Sequence, residues 1–117
     1  MVNLDTVGRT GEGITVFGAG SADFWPDLIL AAARSAGVKS TPVRRSPGAS
    51  DDQSFLESGV PALHLYSGPN PDYHRPSDTA DRVEPTALSA AARLAGRLVL
   101  GLAALPGTAT AAGSGQP

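Results

Sequence analysis

The chain has 117 residues, enough for one domain with a modest core. A formal net charge of −2 and scattered arginines leave no basic face for nucleic acid or an anionic membrane surface. The absence of cysteine excludes disulfides and thiolate metal sites. No unbroken apolar run reaches the roughly 18 residues of a membrane span. No basic segment followed by an apolar core opens the chain, so no signal peptide is expected.

In chain order, residues 1–7 alternate β-formers up to Gly8 and predict a strand with Asp5 near its C-terminal end. Residues 9–13 read as a turn, and residues 14–17 as a second short strand closed by Gly18-Ala19-Gly20. The two glycines lack the third glycine and the downstream acid of a dinucleotide loop, so a phosphate site is discounted. Ser21 or Asp23 is expected to cap the next helix, with Pro26 in its first turn and Gly37 as its C-terminal stop. Leu28, Ala31, Ala32 and Ser35 fall on one stripe of that helix, and Phe24 and Trp25 read as core or staple residues.

Residues 38–43 follow as a strand, with Arg44 and Arg45 as a solvated face of the loop behind it. Ser50 and Asp51 are candidate caps for a short helix ending at Gly59. Residues 60–66 read as a buried strand, in which His64 is expected to be a hydrogen-bonded core histidine. Glu84-Pro85 starts a last helix whose buried stripe is expected to be Leu88, Ala91, Ala92, Ala95, Leu98, Val99 and Leu102. A Gly/Ala/Ser/Thr/Pro tail over 106–117 reads as disordered, leaving 1–105 as the folded part.

Residues 68–79 are the stretch around which this chain is organised. Pro69, Pro71, Pro76 and Gly68 forbid a regular helix or central strand there. The result is a stiff loop that carries a phenol, an imidazole, carboxylates and hydroxyls at the C-terminal end of a strand. Open α/β sheets place their sites at such positions.

Tyr73-His74-Arg75-Pro76-Ser77-Asp78-Thr79 closely resembles the Tyr-His-x-Pro-Ser-Asp-Thr segment of the co-catalytic zinc aminopeptidases. That superfamily includes bacterial leucyl aminopeptidases, aminopeptidase Y, glutamate carboxypeptidase-like enzymes and the transferrin-receptor ectodomain. Residues 2–9 are similar to its Asn-Leu-Asp-Met-Val-Gly-Arg strand. Ser50-Asp51-Asp52-Gln53-Ser54-Phe55 with Gly59-Val60-Pro61-Ala62 is similar to its Ser-Asp-His-x-x-Phe and Gly-Ile-Pro-Ala pair, with Asp52 where many relatives have His.

The resemblance implies an α/β fold, the C-terminal half of a zinc-exopeptidase (phosphorylase/hydrolase-like) three-layer α/β/α sandwich with a mixed central sheet. It implies two Zn2+ in the complete domain, with Asp5 ligating one and His74 the other. Tyr73 would donate a hydrogen bond to the tetrahedral intermediate, and Ser50, Asp51, Ser77, Asp78 and Thr79 would support the site. The family's upstream His-x-Asp motif, bridging Asp and Glu-Glu pair have no match here. The chain is therefore read as a fragment of an aminopeptidase that hydrolyses N-terminal peptide bonds, inactive alone. Its implied partners are a peptide substrate in the complete enzyme and the missing N-terminal half, or a second copy through the unpaired strand edge; nucleic acid and membranes are not among them. The alternatives are a non-catalytic binding or structural module of the same fold, and a related zinc carboxypeptidase or glutaminyl cyclase-like enzyme. Relatives are often secreted or membrane-anchored, and the residues leave location open.

Overall fold

The computed structural model describes residues 1–9 and 13–107. Its elements are β1 (Val2–Leu4), β2 (Ile14–Phe17), α1 (Trp25–Ala36), β3 (Ser40–Val43), α2 (Asp52–Glu57), β4 (Leu63–Tyr66), a 3-10 turn (Ala80–Arg82) and α3 (Pro85–Ala103). The strands form one mixed sheet in the order β1-β4-β2-β3. β4 runs parallel to β1 and antiparallel to β2, so Leu65 pairs with Leu4 on one side and Val16 on the other. β2 runs parallel to β3. Pro42 sits in β3, an edge strand, where its missing N–H costs no central ladder bond.

Strand alternation divides the sheet into two unlike faces. Ile14, Val16, Leu63 and Leu65 join one buried core with Trp25, Ile29, Ala91, Leu94 and Leu98. That face is covered by α1 and α3, which also pack against each other. Each buried Leu or Ile there contributes about 1.5–3 kcal/mol relative to an exposed one. The alternate positions Phe17, His64 and Tyr66 cluster on the other face, with ring centroids 5.7 to 6.1 Å apart. The start of α2 lies against this second face, where Asp52 sits beside His64. The α/β class, the mixed sheet and helices on both faces agree with the sequence expectation.

The helix stripes are phased differently from the expectation. In α1 the buried residues are Trp25, Ile29, Ala32, Ala33 and Ala36, whereas Ala31 and Ser35 are exposed. The fully buried Trp25 sets that phase, because it is the largest side chain the core must accommodate. In α3 the buried residues are Ala91, Leu94 and Leu98, with Ala95 and Leu102 partly buried. Leu88 and Val99, expected inside, are 46% and 52% exposed, and Ala92 is exposed too. α3 packs against α1 and β1, so one narrow stripe suffices.

By length and composition α3, with 19 residues and a mean hydropathy of 1.3, could cross a membrane. The run-by-run reading missed this because Arg93 and Arg97 interrupt the apolar residues. Arg93 has a packing role, donating from Nε to the Ala36 carbonyl at the end of α1 (3.2 Å).

The caps also differ. Neither Ser21 nor Asp23 caps α1; Phe24 occupies the cap position without a side-chain hydrogen bond. Ser21 Oγ instead accepts from Trp25 Nε1 (2.9 Å) and donates to the Ala62 carbonyl (3.1 Å), tying α1 to the lead-in of β4. Gly37 does end α1, in the left-handed conformation at φ 65°. Gly18 is needed for two reasons: its φ is 86°, and a Cβ there would lie 2.3 Å from the Ala62 carbonyl oxygen. The expected turn at 10–12 and the expected tail from 108 onward lie outside the described residues.

Candidate functional site

Asp5 is the first residue past β1, and its N–H donates to the Leu65 carbonyl (3.2 Å), a last rung of the parallel ladder. Thr6 then turns the chain at φ 58°, an uncommon conformation for a non-glycine residue. The Asp5 carboxylate is held from two sides. Ser50 Oγ donates to Oδ2 (2.5 Å) and Thr6 Oγ1 to Oδ1 (3.2 Å). Asn3 Nδ2 donates to Ser50 Oγ (2.7 Å), so β1 itself orients the serine. The Ser50 hydrogen bond holds the Asp5 carboxyl below the usual carboxylate range, against a smaller opposing effect of burial, with Thr6 and the His64 ring adding to the lowering. Asp51, at the cap position of α2, makes no side-chain capping bond, and its carbonyl accepts from Ser54 Oγ (3.2 Å). The cap expectation for Ser50 and Asp51 is thus corrected, because the serine hydroxyl is committed to Asp5.

β4 delivers the chain to the loop at 68–79. Short turns organise it: Asp72 N–H donates to Asn70 Oδ1 (3.0 Å), Arg75 N–H to the Asp72 carbonyl (2.9 Å) and Asp78 N–H to the Arg75 carbonyl (3.0 Å). Tyr73 and His74 stack ring on ring, with centroids 3.9 Å apart and planes 18° from parallel. His74 has φ 54°, a strained backbone conformation for a non-glycine residue.

Charged partners flank these two rings. Arg9, 9% exposed, donates from Nη2 to Asp72 Oδ2 (2.5 Å) and from Nη1 to Asp78 Oδ1 (2.7 Å). Arg82 Nη1 lies 3.5 Å from Asp72 Oδ2. Arg9, and after it the Ser77 hydroxyl, hold the Asp72 carboxyl below the usual range. The Thr79 side chain does the same for Asp81. Ser77, Asp78 and Thr79 therefore each contact a neighbour within or beside the loop.

A cavity of about 290 Å3 opens on the aromatic face of the sheet, walled by Asp5, Phe17, His64, Tyr66, Pro69 and Tyr73 among others. The structure thus brings Asp5 and Tyr73 to one cavity. His74 is stacked on Tyr73 and is not one of the cavity's lining residues. Among the described residues no three His, Asp or Glu side chains converge as a metal cage. The donors present do not by themselves fit a bound metal ion.

Two features escaped the sequence reading. The first is the Arg9 fork, since nothing in the spacing pairs residue 9 with residues 72 and 78. The second is the buried couple of Asp52 and His64, which are 0% and 5% exposed. Ser46 Oγ donates to Asp52 Oδ2 (2.5 Å), while His64 Nδ1 stands 3.8 Å from Asp52 Oδ1, too far for a hydrogen bond. Neither ring nitrogen of His64 has a hydrogen-bond partner among the described residues, so the hydrogen-bonded core histidine is corrected to a buried, unbonded one. Only His64 carries a local signal, a polar residue inside the apolar run Ala62-Leu63-His64-Leu65; Asp52 stands among polar neighbours, so nothing local marks it as buried.

The family model for peptidase family M28 matches residues 1–99. The chain belongs to peptidase family M28. Its M28 region contains every candidate residue from Asp5 to Thr79. Among solved structures it is similar to the Legionella pneumophila LapA aminopeptidase, with a TM-score of 0.71, 24% identity and coverage of 89% of this chain but 30% of that one. A second crystal structure of Legionella LapA matches with a TM-score of 0.70 and 22% identity, over 89% of this chain and 32% of that one. At such identity the likeness shows the fold, and this M28 chain spans about a third of the length of those structures. Comparison with curated proteins gives no match.

Proposed function

We propose that this M28 chain forms one part of the catalytic domain of a zinc-dependent aminopeptidase, which removes the N-terminal residue of peptides. The observation that carries the reading is the meeting of Asp5, hydrogen-bonded by Ser50, with Tyr73 at one cavity beyond the strand ends. In this reading Asp5 and His74 would each give one donor to a different zinc ion in the complete domain, where the metals would supply an activated hydroxide. Tyr73 directs its phenol toward the oxygen of the scissile carbonyl, as a donor to developing negative charge. Ser50 and Asp51 support Asp5, and Ser77, Asp78 and Thr79 support the loop. In this reading the remaining ligands and the general base would come from residues outside those described here; the described donors do not complete a cage. The chain alone is accordingly an incomplete catalyst.

The test is made in a domain where this chain is joined to its remaining part. His74→Ala is expected to lose one metal together with activity. Tyr73→Phe is expected to keep both metals and to lose roughly 10²–10³ in kcat with little change in KM. Zinc loss in Tyr73→Phe, or an unchanged kcat with full metal content, would show that the roles are misassigned.

A further inference from the structure

We propose that Arg9 is a positioning residue that fixes the Tyr73–His74 pair relative to Asp5 by clamping the loop on both sides of that pair. What Asp5, Tyr73 and His74 do chemically rests on the preceding reading, whereas the clamp itself is a matter of geometry. Arg9 lies four residues beyond Asp5 on the same segment. That segment is tied down independently of the loop: Asp5 N–H bonds to Leu65 in β4, and the Gly8 carbonyl accepts the Glu84 N–H at the head of α3 (2.8 Å). Arg9 therefore projects from a fixed base.

Its two terminal nitrogens reach separate carboxylates. Asp72 stands immediately before Tyr73, and Asp78 four residues after His74. A guanidinium is planar and its donors keep fixed directions, so two such bonds restrict rotation as well as distance. The Arg9 and Asp72 side chains are only 11% and 9% exposed, so water competes little for this bond. Arg82 is a poor substitute, since its side chain is 53% exposed and its nitrogen stands at 3.5 Å from Asp72. Between the two anchors the backbone holds His74 at φ 54°, a conformation that persists only where the surroundings impose it. The loop has no helix or strand to impose it, and its internal turn bonds fix its curvature. Backbone bonds from Ser67 to Thr6 (3.1 Å) and from Glu84 to Gly8 tie only its two flanks to the segment after β1, not the stretch between Asp72 and Asp78. Arg9 supplies the constraint on that stretch.

The experiment is NMR on the full chain, free of metal and substrate. The reporters are the His74 ring-proton shifts, which sense the Tyr73 ring stacked upon them, and backbone relaxation over 70–79. Methyl signals of Leu63, Leu65 and Leu94 report the core. Arg9→Met is expected to leave the core methyls in place, to move the His74 ring protons toward unstacked values, and to raise fast motion over 72–78. Arg9→Lys, which keeps the charge and loses the fork, is expected to restore less than half of the shift. Unchanged His74 shifts and loop relaxation in folded Arg9→Met would overturn the proposal. A lower melting temperature with unchanged His74 shifts would overturn it equally, by reducing Arg9 to a stabilising contact. Should Arg9→Met not fold, Asp72→Asn and Asp78→Asn read the same signal, and unchanged stacking in both would be decisive against the clamp. Zinc that fails to perturb His74 in the unaltered complete domain would count against the proposed function and leave this result standing.

Discussion

At the scale of single residues, the organising contact is a serine on a carboxylate. Ser50 Oγ sits 2.5 Å from Asp5 Oδ2 and is itself aligned by Asn3, so Asp5 is presented as an ionised acceptor at the cavity. Because the folded state depresses the Asp5 pKa, this bond adds stability above the unfolded value of about 4. That contribution fades as pH falls through the depressed folded value. Carboxyl NMR titration is predicted to place Asp5 below the ordinary aspartate range and to move it upward in Ser50→Ala. An Asp5 that titrates normally in the unaltered chain would refute the arrangement. The role of Asp5 is one the residues suggest only through the family pattern, since an Asp after a short strand is common in any α/β chain. The serine is different: read locally, it is a helix cap. Its hydroxyl is taken by a residue 45 positions away, and no local pattern encodes such a partnership.

At the scale of elements, existence and order were legible and phase was not. The sequence marks every strand and helix near its place because glycine, proline and apolar runs punctuate it. Which face of a helix turns inward depends on the largest side chains the core must hold. Alanine-rich helices such as α1 and α3 offer several stripes of similar hydrophobicity, and Trp25 and Leu94 decide among them. A paired substitution checks the observed phase of α3. Leu94→Ala, at a fully buried position, is predicted to cost about 2–5 kcal/mol. Val99→Ala, at a position 52% exposed, is predicted to stay within about 0.5 kcal/mol. Equal losses in chemical denaturation would restore the stripe expected from periodicity.

At the scale of the whole molecule, the sheet separates two tasks. One face is a conventional apolar core under α1 and α3, and the other presents Phe17, His64, Tyr66 and the cavity. Both ends of the site follow from this: Asp5 leaves β1, and the loop of Tyr73 and His74 leaves β4, its parallel neighbour. Parallel pairing of adjacent strands brings together residues nearly 70 positions apart, so motifs distant in the chain meet at one cavity. For a member of M28, the central question is then set by the donors, since among the described residues no three His, Asp or Glu side chains converge. Calorimetric titration of Zn2+ into the metal-free chain tests this most directly. In the proposed reading Asp5 and His74 would each offer one donor to a different ion, so binding no tighter than that of an exposed histidine–carboxylate pair is predicted. Two tight sites per chain, each lost on Asp5→Asn or His74→Ala, would contradict the account.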